Sequence, residues 1–570
     1  MISQPSTSES TVTIHGAARL RNAPILLAGL CLAAMLLSAF WTLTNTVPPA
    51  WDQAKYLDLT LSYIQTAQAG GLHAFVHAVA NYNPEQAPLL SLAMIPMFLL
   101  FGTSQASGAM LEVLVWPIVI LCTAGIARRL FGSRAILPAA FIVATMPLLI
   151  GLGRDVLQDF LLVALTCLSL WLLVVSDGLA RRGPALALGV TVGLGLLTKV
   201  TFPIPILLPG AIWVARTVTV RRQDHRAMYR VLANLGMAVA VAAALAAPWY
   251  VHNLTATIAY IQSTTSGGLA LGTGPAHAIT IPAIGAFIVG LVNYDLSWPY
   301  FVLAGLAVAA AGVGRNRWLR MSPQARWALA FSLSWGLSSF LAVALQTNQD
   351  ARLMAAGFPA FAVLVGGAIA KASHRQLARV ALAGFMLAGI WQTMMLEANV
   401  PEPQLVSQPI TFPTPFGEGY VSLGGQGLGY EARPGTRNDD TALLAYLVGE
   451  AKAAPSRTLP LRVAILQQDP EVNVNTLGFL ADVAHGNVVF ADLGEPGWKP
   501  NDQSVSQDLS QYDLLLYIDL PEGGAGRVNV LNSQSAGAAM TSALFAQLSE
   551  GGKRSFPLHG GTEKLWVLEP

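Results

Sequence analysis

Long apolar runs alternate with short polar segments over the first 397 residues of the chain. A run of about 20 apolar residues is long enough to cross a bilayer as a helix. Runs of this kind begin near residues 24, 109, 135, 157, 185, 203, 231, 298, 327, 353 and 380. The pattern therefore predicts an α-helical polytopic membrane protein with about eleven spans.

The pattern changes after residue 397. A connector rich in Pro and Gly, residues 398–440, leads to a more polar region, residues 441–570. Within that region some segments are typical of buried strands (LRVAILQQ, NVVFADL and YDLLLYIDL) and others of helices (TLGFLADVAH and SAGAAMTSALFAQLSEG). The sequence thus predicts a C-terminal α/β domain outside the membrane. It contains no GxGxxG or P-loop motif, which disfavours a nucleotide site there.

Composition agrees with a membrane protein. Hydrophobic residues make up 54 % of the chain and charged residues only 11 %, with a mean hydropathy of +0.52. These values exclude an ordinary soluble protein of this length. Cys31, Cys122 and Cys167 all lie inside apolar runs, so neither a disulfide framework nor a thiolate metal site is predicted.

Basic residues cluster between alternate apolar runs, and the positive-inside rule assigns such clusters to the cytoplasm. The clusters are Arg19/Arg21, Arg128/Arg129/Arg134, Arg181/Arg182, Arg216 to Arg230, Arg315 to Arg326, and Lys371/Arg375/Arg379. Residues 1–23 then form a cytoplasmic tail, and residues 24–397 form the transmembrane domain with a large external first loop, 47–108. Residues after 397 lie outside. Two apolar segments, 87–102 and 281–292, are expected to lie along the outer membrane surface.

Four basic residues stand apart from these clusters. Of the 23 Lys and Arg residues before residue 397, 19 belong to the clusters. The others fall at external helix ends or in the first external loop: Lys55, Arg154, Lys199 and Arg352. External faces normally carry few cations, so we predict an anion site near the outer surface. The alternative is four unrelated side chains that extend to the headgroups.

The stretch PPAWDQAKYLDLTLSY, residues 48–63, follows directly on the first apolar run and brings Asp52, Lys55 and Asp58 to the membrane surface. It is either a solvated loop or a site that acts on a substrate at that surface. Five short segments in chain order then resemble motifs of the GT-C superfamily of membrane glycosyltransferases, in particular the bacterial branch that is similar to protein O-mannosyltransferases and the lipid A aminoarabinose transferase. They are WDQAKY (51–56), NPEQAPLLSLAMIPMFLLFG (83–102), GLGRDVLQDFLLVAL (151–165), GLGLLTKVTFPI (193–204) and QDARLMAAGFPAFAVLVGG (349–367).

The resemblance covers roughly residues 24–397 and implies a GT-C-like fold and an inverting transfer of a sugar from a polyprenyl-phosphate donor. Such a transfer needs a base for the acceptor hydroxyl and cations for the departing phosphate. The resemblance implies Asp52 as the base, and Lys199, Arg352, Arg154 and Lys55 as phosphate ligands. Asp159 and Asp155 compete for the second acidic position, which would orient substrate or a neighbouring cation, and the register of VLQDFLLVAL favours Asp159. We expect further substrate contacts from Tyr56, Glu85, Gln86 and Asp155. Alternatively, Asp155 pairs with Arg154 or caps a helix, and Arg352 pairs with Asp350 or a lipid headgroup.

The chain departs from the family pattern at one point. Members often carry Lys before the Pro-Pro-Leu segment, where this chain has Glu85, Gln86, Ala87 and Pro88. Either Arg154 or Lys55 replaces that cation, or Glu85 has another role. A divalent metal ion is left open as a cofactor, with His73, His77 and Glu85 as candidate ligands. The alternative for the two histidines is an amphipathic interfacial helix.

The sequence therefore predicts a glycosyltransferase of the bacterial cytoplasmic (inner) membrane, with its C-terminal domain in the periplasm or outside the cell. The expected partners are a polyprenyl-phosphate sugar donor, a lipid, glycan or protein acceptor and the lipid bilayer, without nucleic acid. The alternative is a transporter or flippase of lipid-linked glycans, which should show charged or broken helices at mid-membrane and often internal repeats. A non-catalytic scaffold in a glycan-assembly complex is a third hypothesis.

Overall fold

The chain was described from a computed structural model. The structure describes residues 22–265, 279–312, 321–398, 409–423, 425, 428, 440–453, 459–466, 469–470, 472–492, 511–519, 553–558 and 563–569. Its first part is almost entirely helical. The α-helices there are Ala23–Thr44, Asp52–Asn81, Leu89–Phe101, Gln105–Phe131, Ile136–Ala144, Pro147–Leu152, Gln158–Val175, Arg182–Thr198, Ile204–Arg221, His225–His252, Leu254–Thr265, Ile281–Gly290, Trp298–Ala311, Pro323–Ala344, Phe358–Ala370 and Arg375–Glu397. Short 3₁₀ segments, Ser133–Ala135 and Ala351–Gly357, and a π-helical turn, Leu291–Leu296, adjoin them.

Every apolar run predicted to span forms a helix, which confirms the polytopic helical fold. In the described residues, eight helices are long and apolar enough to cross a membrane. A ninth results if the pair Ile281–Leu296 and Trp298–Ala311, bent by 101°, counts as one span. The runs near residues 135 and 185 form shorter helices, Ser133–Ala144 and Arg182–Thr198. The count of eleven spans therefore stays a prediction.

The segment predicted as the first external loop is helical rather than irregular. Its helix Asp52–Asn81, named the first external helix after that prediction, has a break at Gly71, whose φ of 68° lies in the left-handed region that glycine adopts readily. The following helix, Leu89–Phe101, has 13 residues and would be about 20 Å long at 1.5 Å per residue. That is shorter than the hydrocarbon core of roughly 30 Å. The segment 87–102 thus does not form a straight span.

Small residues bring the helices Arg182–Thr198 and His225–His252 into close contact. At Gly189, an added Cβ atom would come within 2.6 Å of the Ala238 carbonyl oxygen. The helix Arg182–Thr198 therefore approaches the helix His225–His252 through glycine, as in other membrane helix pairs. The ring of Phe202 likewise occupies the space beside Gly195. This packing fixes the end of the helix that carries Lys199.

The loops that carry basic clusters contact one another at the far ends of the helices. Asp159 begins the helix Gln158–Val175, and Asp177 follows that helix. These two residues are therefore about 27 Å apart along the helix axis. Asp177 forms an ion pair of 2.6 Å with Arg221. The segments 177–182 and 216–230, which carry two of the basic clusters, thus meet at the end of this helix opposite Asp159, and we call it the basic end.

The C-terminal domain contains a five-stranded sheet. Its strands are β3 Leu461–Ile465, β4 Val488–Asp492, β5 Leu514–Asp519, β6 Lys553–Leu558 and β7 Glu563–Leu568, and they lie in the order β4-β3-β5-β7-β6. Strand β3 pairs in parallel with β4 and β5, whereas β7 is antiparallel to β5 and β6. The three predicted strands and the helix Val474–Val483 are confirmed. The helix Asp440–Ala453 and strands β6 and β7 were not predicted, and the predicted helix over 535–551 lies outside the described residues.

The predicted connector contains an antiparallel hairpin, which the sequence analysis missed. Its strands are β1, Ile410–Thr414, and β2, Gly417–Val421. Asn293 in the π-helical turn holds the hairpin: its Nδ2 donates to the Glu418 carbonyl oxygen at 2.9 Å, and its Oδ1 accepts from the Tyr420 amide at 2.8 Å. The hairpin thus packs on the bent pair of helices.

One helix joins the C-terminal domain to the helical part. We call Val474–Val483 the docking helix because it packs against the helix Asp52–Asn81. Its Phe479 is buried in the hydrophobic core of the helical part. Its Thr476 hydroxyl donates to the Pro49 carbonyl oxygen at 2.8 Å. The C-terminal domain therefore lies at the start of the first external helix.

Candidate active site

A cavity of about 930 Å³ lies at the start of the helix Asp52–Asn81. The starts of the helices Gln158–Val175 and Ile204–Arg221 and the segment before residue 353 form other parts of its wall. Its charged lining residues come from five separate segments of the chain and are Asp52, Glu85, Asp159, Lys199, Asp350 and Arg352. Apolar side chains, among them Leu162, Val200, Ile204 and Pro205, form another part of the wall. The fold therefore gathers most of the predicted charged site residues around one space.

Asp52 is the first residue of its helix, so the partial positive charge at the helix N-terminus stabilises its carboxylate. The preceding residue, Trp51, has φ 42° and ψ −112°, a conformation that costs free energy in a residue with a bulky side chain. The Asp52 side chain is 37 % exposed, and its Oδ2 lies 3.6 Å from Nη2 of Arg352. Asp52 is thus a carboxylate with one loosely placed cation, and it faces the cavity.

Arg352 lies in the 3₁₀ segment Ala351–Gly357, which Asp350 caps. One oxygen of Asp350 accepts from the Arg352 amide at 3.0 Å, and the other lies 2.8 Å from Nε. The pairing with Asp350, proposed as the alternative to a phosphate ligand, is therefore present. The guanidinium still reaches into the cavity toward Asp52. Asp350 holds Arg352 in place without enclosing it.

Lys199 and Asp159 form a short ion pair in the cavity wall. Lys199 follows the helix Arg182–Thr198, and Nζ lies 2.7 Å from Oδ1 of Asp159. The Asp159 side chain is 3 % exposed and that of Lys199 is 20 % exposed. Removing either partner would leave a buried charge without compensation, so the pair is strongly oriented. Asp159 thus holds a neighbouring cation, one of the roles that the family resemblance implies.

Two tyrosines lie near Asp52. Tyr56 is buried one helical turn after Asp52, and Gln86 donates from Nε2 to the Tyr260 hydroxyl at 2.6 Å. Burial, and secondarily the charge of Asp52, raises the pKa of both Tyr56 and Tyr260. Both hydroxyls therefore stay protonated near neutral pH and can donate hydrogen bonds. Tyr56, Glu85 and Gln86 all line the cavity, as predicted for substrate contacts.

The structure separates Arg154 from this cavity, contrary to its assignment as a phosphate ligand. Arg154 is only 2 % exposed. Its Nη1 donates to the Leu396 carbonyl oxygen at 2.6 Å and lies 3.7 Å from Oε2 of Glu397, while the guanidinium stacks 4.3 Å from the Trp41 ring centre. These contacts join the end of the last span to the first span. Arg154 therefore already has buried partners and does not line the cavity.

Lys55 and Asp155 are also absent from the cavity lining. Lys55 is half-buried on the first external helix, and Asp155 is buried beside the start of the helix Gln158–Val175. Of the two residues that compete for the family's second acidic position, Asp159 lines the cavity and Asp155 does not. Since neither Lys55 nor Arg154 faces the cavity, neither replaces the missing family Lys there.

The candidate metal ligands do not form a cluster. His73 and His77 are exposed on the part of their helix that follows the break at Gly71, and neither lines the cavity. Among the residues that the structure describes, no group of three His, Cys, Asp or Glu side chains is arranged to hold a metal ion. The amphipathic alternative for these histidines fits their exposure.

Sequence reasoning missed several polar and aromatic lining residues. Tyr260, Asn348 and Thr264 line the cavity but lie in segments with no recognisable motif. Trp249 and Tyr250 also line the cavity and belong to the segment AAPWYVHN (246–253), whose Pro-Trp turn is common in the family that the motifs resemble. The hydroxyl of Tyr250 donates to the Leu196 carbonyl oxygen at 2.7 Å, near the end of the helix that precedes Lys199. This segment was the sequence feature that could have identified Trp249 and Tyr250 as residues of the cavity.

Comparisons with known proteins agree with the fold. Residues 85–252 match the family model described as dolichyl-phosphate-mannose-protein mannosyltransferase. No curated protein matches the chain. Among solved structures, ArnT from Cupriavidus metallidurans in the apo state superposes with a TM-score of 0.55 at 15 % identity, over 95 % of this chain and 97 % of that one.

Two further solved structures resemble the chain. The same ArnT bound to undecaprenyl phosphate has a TM-score of 0.54 at 15 % identity, over 95 % of this chain and 97 % of that one. The archaeal oligosaccharyltransferase AglB from Archaeoglobus fulgidus, in complex with an inhibitory peptide and a dolichol-phosphate, has a TM-score of 0.52 at 13 % identity, over 87 % and 69 %. The chain therefore shares the fold of these membrane glycosyltransferase structures, and the matched segment, residues 85–252, agrees with the resemblance indicated by the motifs.

Proposed function

We propose that the protein transfers a sugar from a polyprenyl-phosphate donor to a cell-envelope acceptor on the outer side of the cytoplasmic membrane. The observation that carries this function is the meeting of Asp52, Arg352, Lys199 and Asp159 around one cavity. The solved relatives named above bind undecaprenyl phosphate and a dolichol-phosphate, which supports a lipid-phosphate donor.

The proposed reaction is a single displacement. The acceptor hydroxyl oxygen bonds to the anomeric carbon, the bond between that carbon and the phosphate oxygen breaks, and Asp52 takes the hydroxyl proton. Attack opposite the leaving group inverts the anomeric centre. The polyprenyl phosphate leaves with the bonding electron pair, and Arg352 and Lys199 stabilise its added charge.

The two ion pairs suggest different behaviour when the donor binds. The 3.6 Å between Arg352 and Asp52 exceeds the roughly 2.7–2.9 Å of a charge-assisted hydrogen bond, so this contact is readily exchanged. A phosphate oxygen would draw Arg352 away from Asp52 and leave the carboxylate free to accept a proton. Lys199 keeps Asp159 as its partner at 2.7 Å and adds its remaining donors to the phosphate. The apolar wall formed by Leu162, Val200, Ile204 and Pro205 suits the first isoprene units.

The experiment is a transfer assay with the full chain in nanodiscs and an undecaprenyl-phosphate sugar, followed by mass spectrometry of the lipid product. Release of undecaprenyl phosphate together with a glycosylated acceptor would support the proposal. Envelope lipids and glycans from cells with and without the gene identify which acceptor to supply. Movement of intact donor across the bilayer without bond cleavage would instead support the flippase alternative.

A further inference from the structure

We propose that the docking helix belongs to the catalytic unit, with Thr476 and Asn473 as positioning residues for Asp52. This inference rests on the role proposed above for Asp52. The two residues lie more than 400 positions from Asp52 in the sequence, in a domain to which no part of the chemistry has been assigned. The Thr476 hydrogen bond joins that domain to the chain three residues before Asp52.

The contact between Thr476 and Pro49 is buried on both sides. Thr476 is fully buried, Pro49 is buried, and the hydrogen bond between them is 2.8 Å long. A buried carbonyl oxygen without a donor is costly, so this bond favours one placement of Pro49. Only Ala50 and Trp51 separate Pro49 from Asp52.

Asn473 determines which way the Thr476 hydroxyl points. Its Oδ1 accepts from the amides of Asn475 and Thr476 at 3.0 Å each, which caps the docking helix. Its Nδ2 lies 2.9 Å from the Thr476 oxygen. Because an amide nitrogen can only donate, the Thr476 oxygen accepts from Asn473 and its own proton is directed to Pro49.

The same Asn473 amide also holds part of the cavity wall. Nδ2 lies 3.1 Å from the Asp469 carbonyl oxygen and 2.8 Å from that of Pro470, so its two protons serve three acceptors and one of them is shared. Pro470 lines the cavity. One buried side chain in the C-terminal domain therefore fixes a lining residue and orients the hydroxyl that reaches Pro49.

The segment between Pro49 and the helix needs such external support. Trp51 has a positive φ of 42°, which a residue with a bulky side chain adopts only when its surroundings require it. The helical part holds the other side of the segment, because Oε1 of Gln53 accepts from the Val156 amide at 3.3 Å. Thr476 and Gln53 thus constrain Asp52 from both sides, and this constraint aims the carboxylate at the cavity.

Loss of the Thr476 hydroxyl should affect the chemical step more than donor binding. The proposed phosphate ligands, Lys199 and Arg352, are held by Asp159 and Asp350, which do not depend on Pro49. For Thr476→Val we expect kcat to fall about tenfold, the size expected for one net hydrogen bond, with KM for the donor within about twofold. Thr476→Ser keeps the hydroxyl and should restore kcat.

The experiment measures kcat, KM and melting temperature for Thr476→Val, Thr476→Ser and Asn473→Asp in the full-length protein. Aspartate at position 473 retains the helix cap but loses the donor, so its kcat should also fall. Thr219→Val is the matched control, since the Thr219 hydroxyl donates to Ala215 near the basic end of its span. Unchanged kcat in folded Thr476→Val, or an equal loss in Thr476→Ser, would overturn the inference.

Amide hydrogen exchange separates this inference from the proposed function. The Gln53 amide donates to Ala50 at 2.9 Å and the Lys55 amide to Trp51 at 3.2 Å, so both report on the Asp52 segment. Thr476→Val should speed their exchange, and Thr219→Val should not. Faster exchange with full activity in Asp52→Asn would defeat the proposed base and leave the positioning contact standing. Unchanged exchange in Thr476→Val would defeat the positioning contact even if Asp52→Asn is inactive.

Discussion

Asp52 and Asp159 are both carboxylates beside a cation, but their surroundings differ in ways that predict different roles. Asp159 is 3 % exposed and lies 2.7 Å from Lys199, whereas Asp52 is 37 % exposed and lies 3.6 Å from Arg352. A buried carboxylate in a short ion pair is committed to its cation and orients it. An exposed carboxylate with a displaceable partner can act as a base. We therefore assign proton transfer to Asp52 and the orientation of Lys199 to Asp159.

Asp52→Asn should abolish most of the transfer. Asparagine keeps the shape of the side chain but cannot accept a proton, so we expect kcat to fall at least about a hundredfold while donor binding persists. The matched control is Asp177→Asn, because Asp177 also pairs with an arginine, at 2.6 Å, but at the opposite helix end. Near-normal turnover in a folded Asp52→Asn protein would remove Asp52 from the mechanism.

Lys199 and Arg352 should act on the same phosphate. Lys199→Ala and Arg352→Ala should each weaken transfer by about 1.5–3 kcal/mol, the range for a hydrogen bond to a charged group. The double variant should lose less than the sum, because the phosphate is already misplaced after one change. The measurement is a double-mutant cycle: transfer rates of the wild type, the two single variants and the double variant, each checked for folding. Full additivity would mean that the two cations act in separate places.

Arg154 should prove structural. Arg154→Met leaves Glu397 buried without its cation, and breaking a buried ion pair costs about 3–5 kcal/mol. We expect a clear drop in melting temperature, while the folded fraction binds polyprenyl phosphate as the wild type does. A titration with polyprenyl phosphate at low temperature makes the comparison. If Arg154→Met binds polyprenyl phosphate more weakly but melts at the wild-type temperature, Arg154 is a donor ligand and not a structural residue.

At the scale of elements, the docking helix carries a pH-dependent contact. Burial, and secondarily the hydrogen bond that protonated Asp58 donates to the neighbouring Asp482 carboxylate, raises the pKa of Asp58 from its ordinary 3.8 to about 7. Asp58 lies on the first external helix and Asp482 on the docking helix. Because the folded pKa is the higher one, the folded state holds a proton that the unfolded chain releases between about pH 4 and 7. The contribution of this pair is fully present below pH 4 and is lost as the pH rises through 7.

Asp58→Asn should flatten this dependence, because an amide donates to Asp482 without titrating. The wild type should lose more stability than Asp58→Asn between pH 5.5 and 8.5, as measured by thermal unfolding. Limited proteolysis should likewise release the C-terminal domain of the wild type more readily at the higher pH. Asp177→Asn, which changes a carboxylate outside this contact, should retain the wild-type pH dependence. If the stability of Asp58→Asn and that of the wild type change equally with pH, Asp58 and Asp482 do not share a proton in the folded state.

At the scale of the whole molecule, the cavity end and the basic end should face opposite sides of the membrane. Cysteines at the exposed positions Glu85 and His485 should react with an impermeant thiol reagent in intact cells or spheroplasts, and one at the exposed Gln223 should not. The native cysteines are all buried and give little background. Labelling at position 223 from outside would reverse the orientation on which the outer-side reaction depends.

The sequence by itself determined much of the membrane part. Apolar runs predict helices because a helix in lipid must satisfy its own backbone groups, a local requirement that a local pattern records. The charge pattern and the ordered motifs also selected Asp52, Asp159, Lys199 and Arg352, four residues that the fold brings to one cavity. Each of them stands at a helix end or in a short segment next to one, where the motif around it is continuous in the chain.

Only the tertiary structure decided which residues that are distant in the sequence contact each other. Arg154 meets Glu397, 243 positions later, and Thr476 meets Pro49, 427 positions earlier. No local pattern encodes such pairs, because they depend on how distant helices and the C-terminal domain pack together. The sequence could therefore identify Arg154 as an unusual cation, but the choice between a phosphate and a buried carboxylate as its partner was made by packing. Likewise, the pattern identified the docking helix, and its place beside Asp52 came from the burial of Phe479 in the core of the helical part.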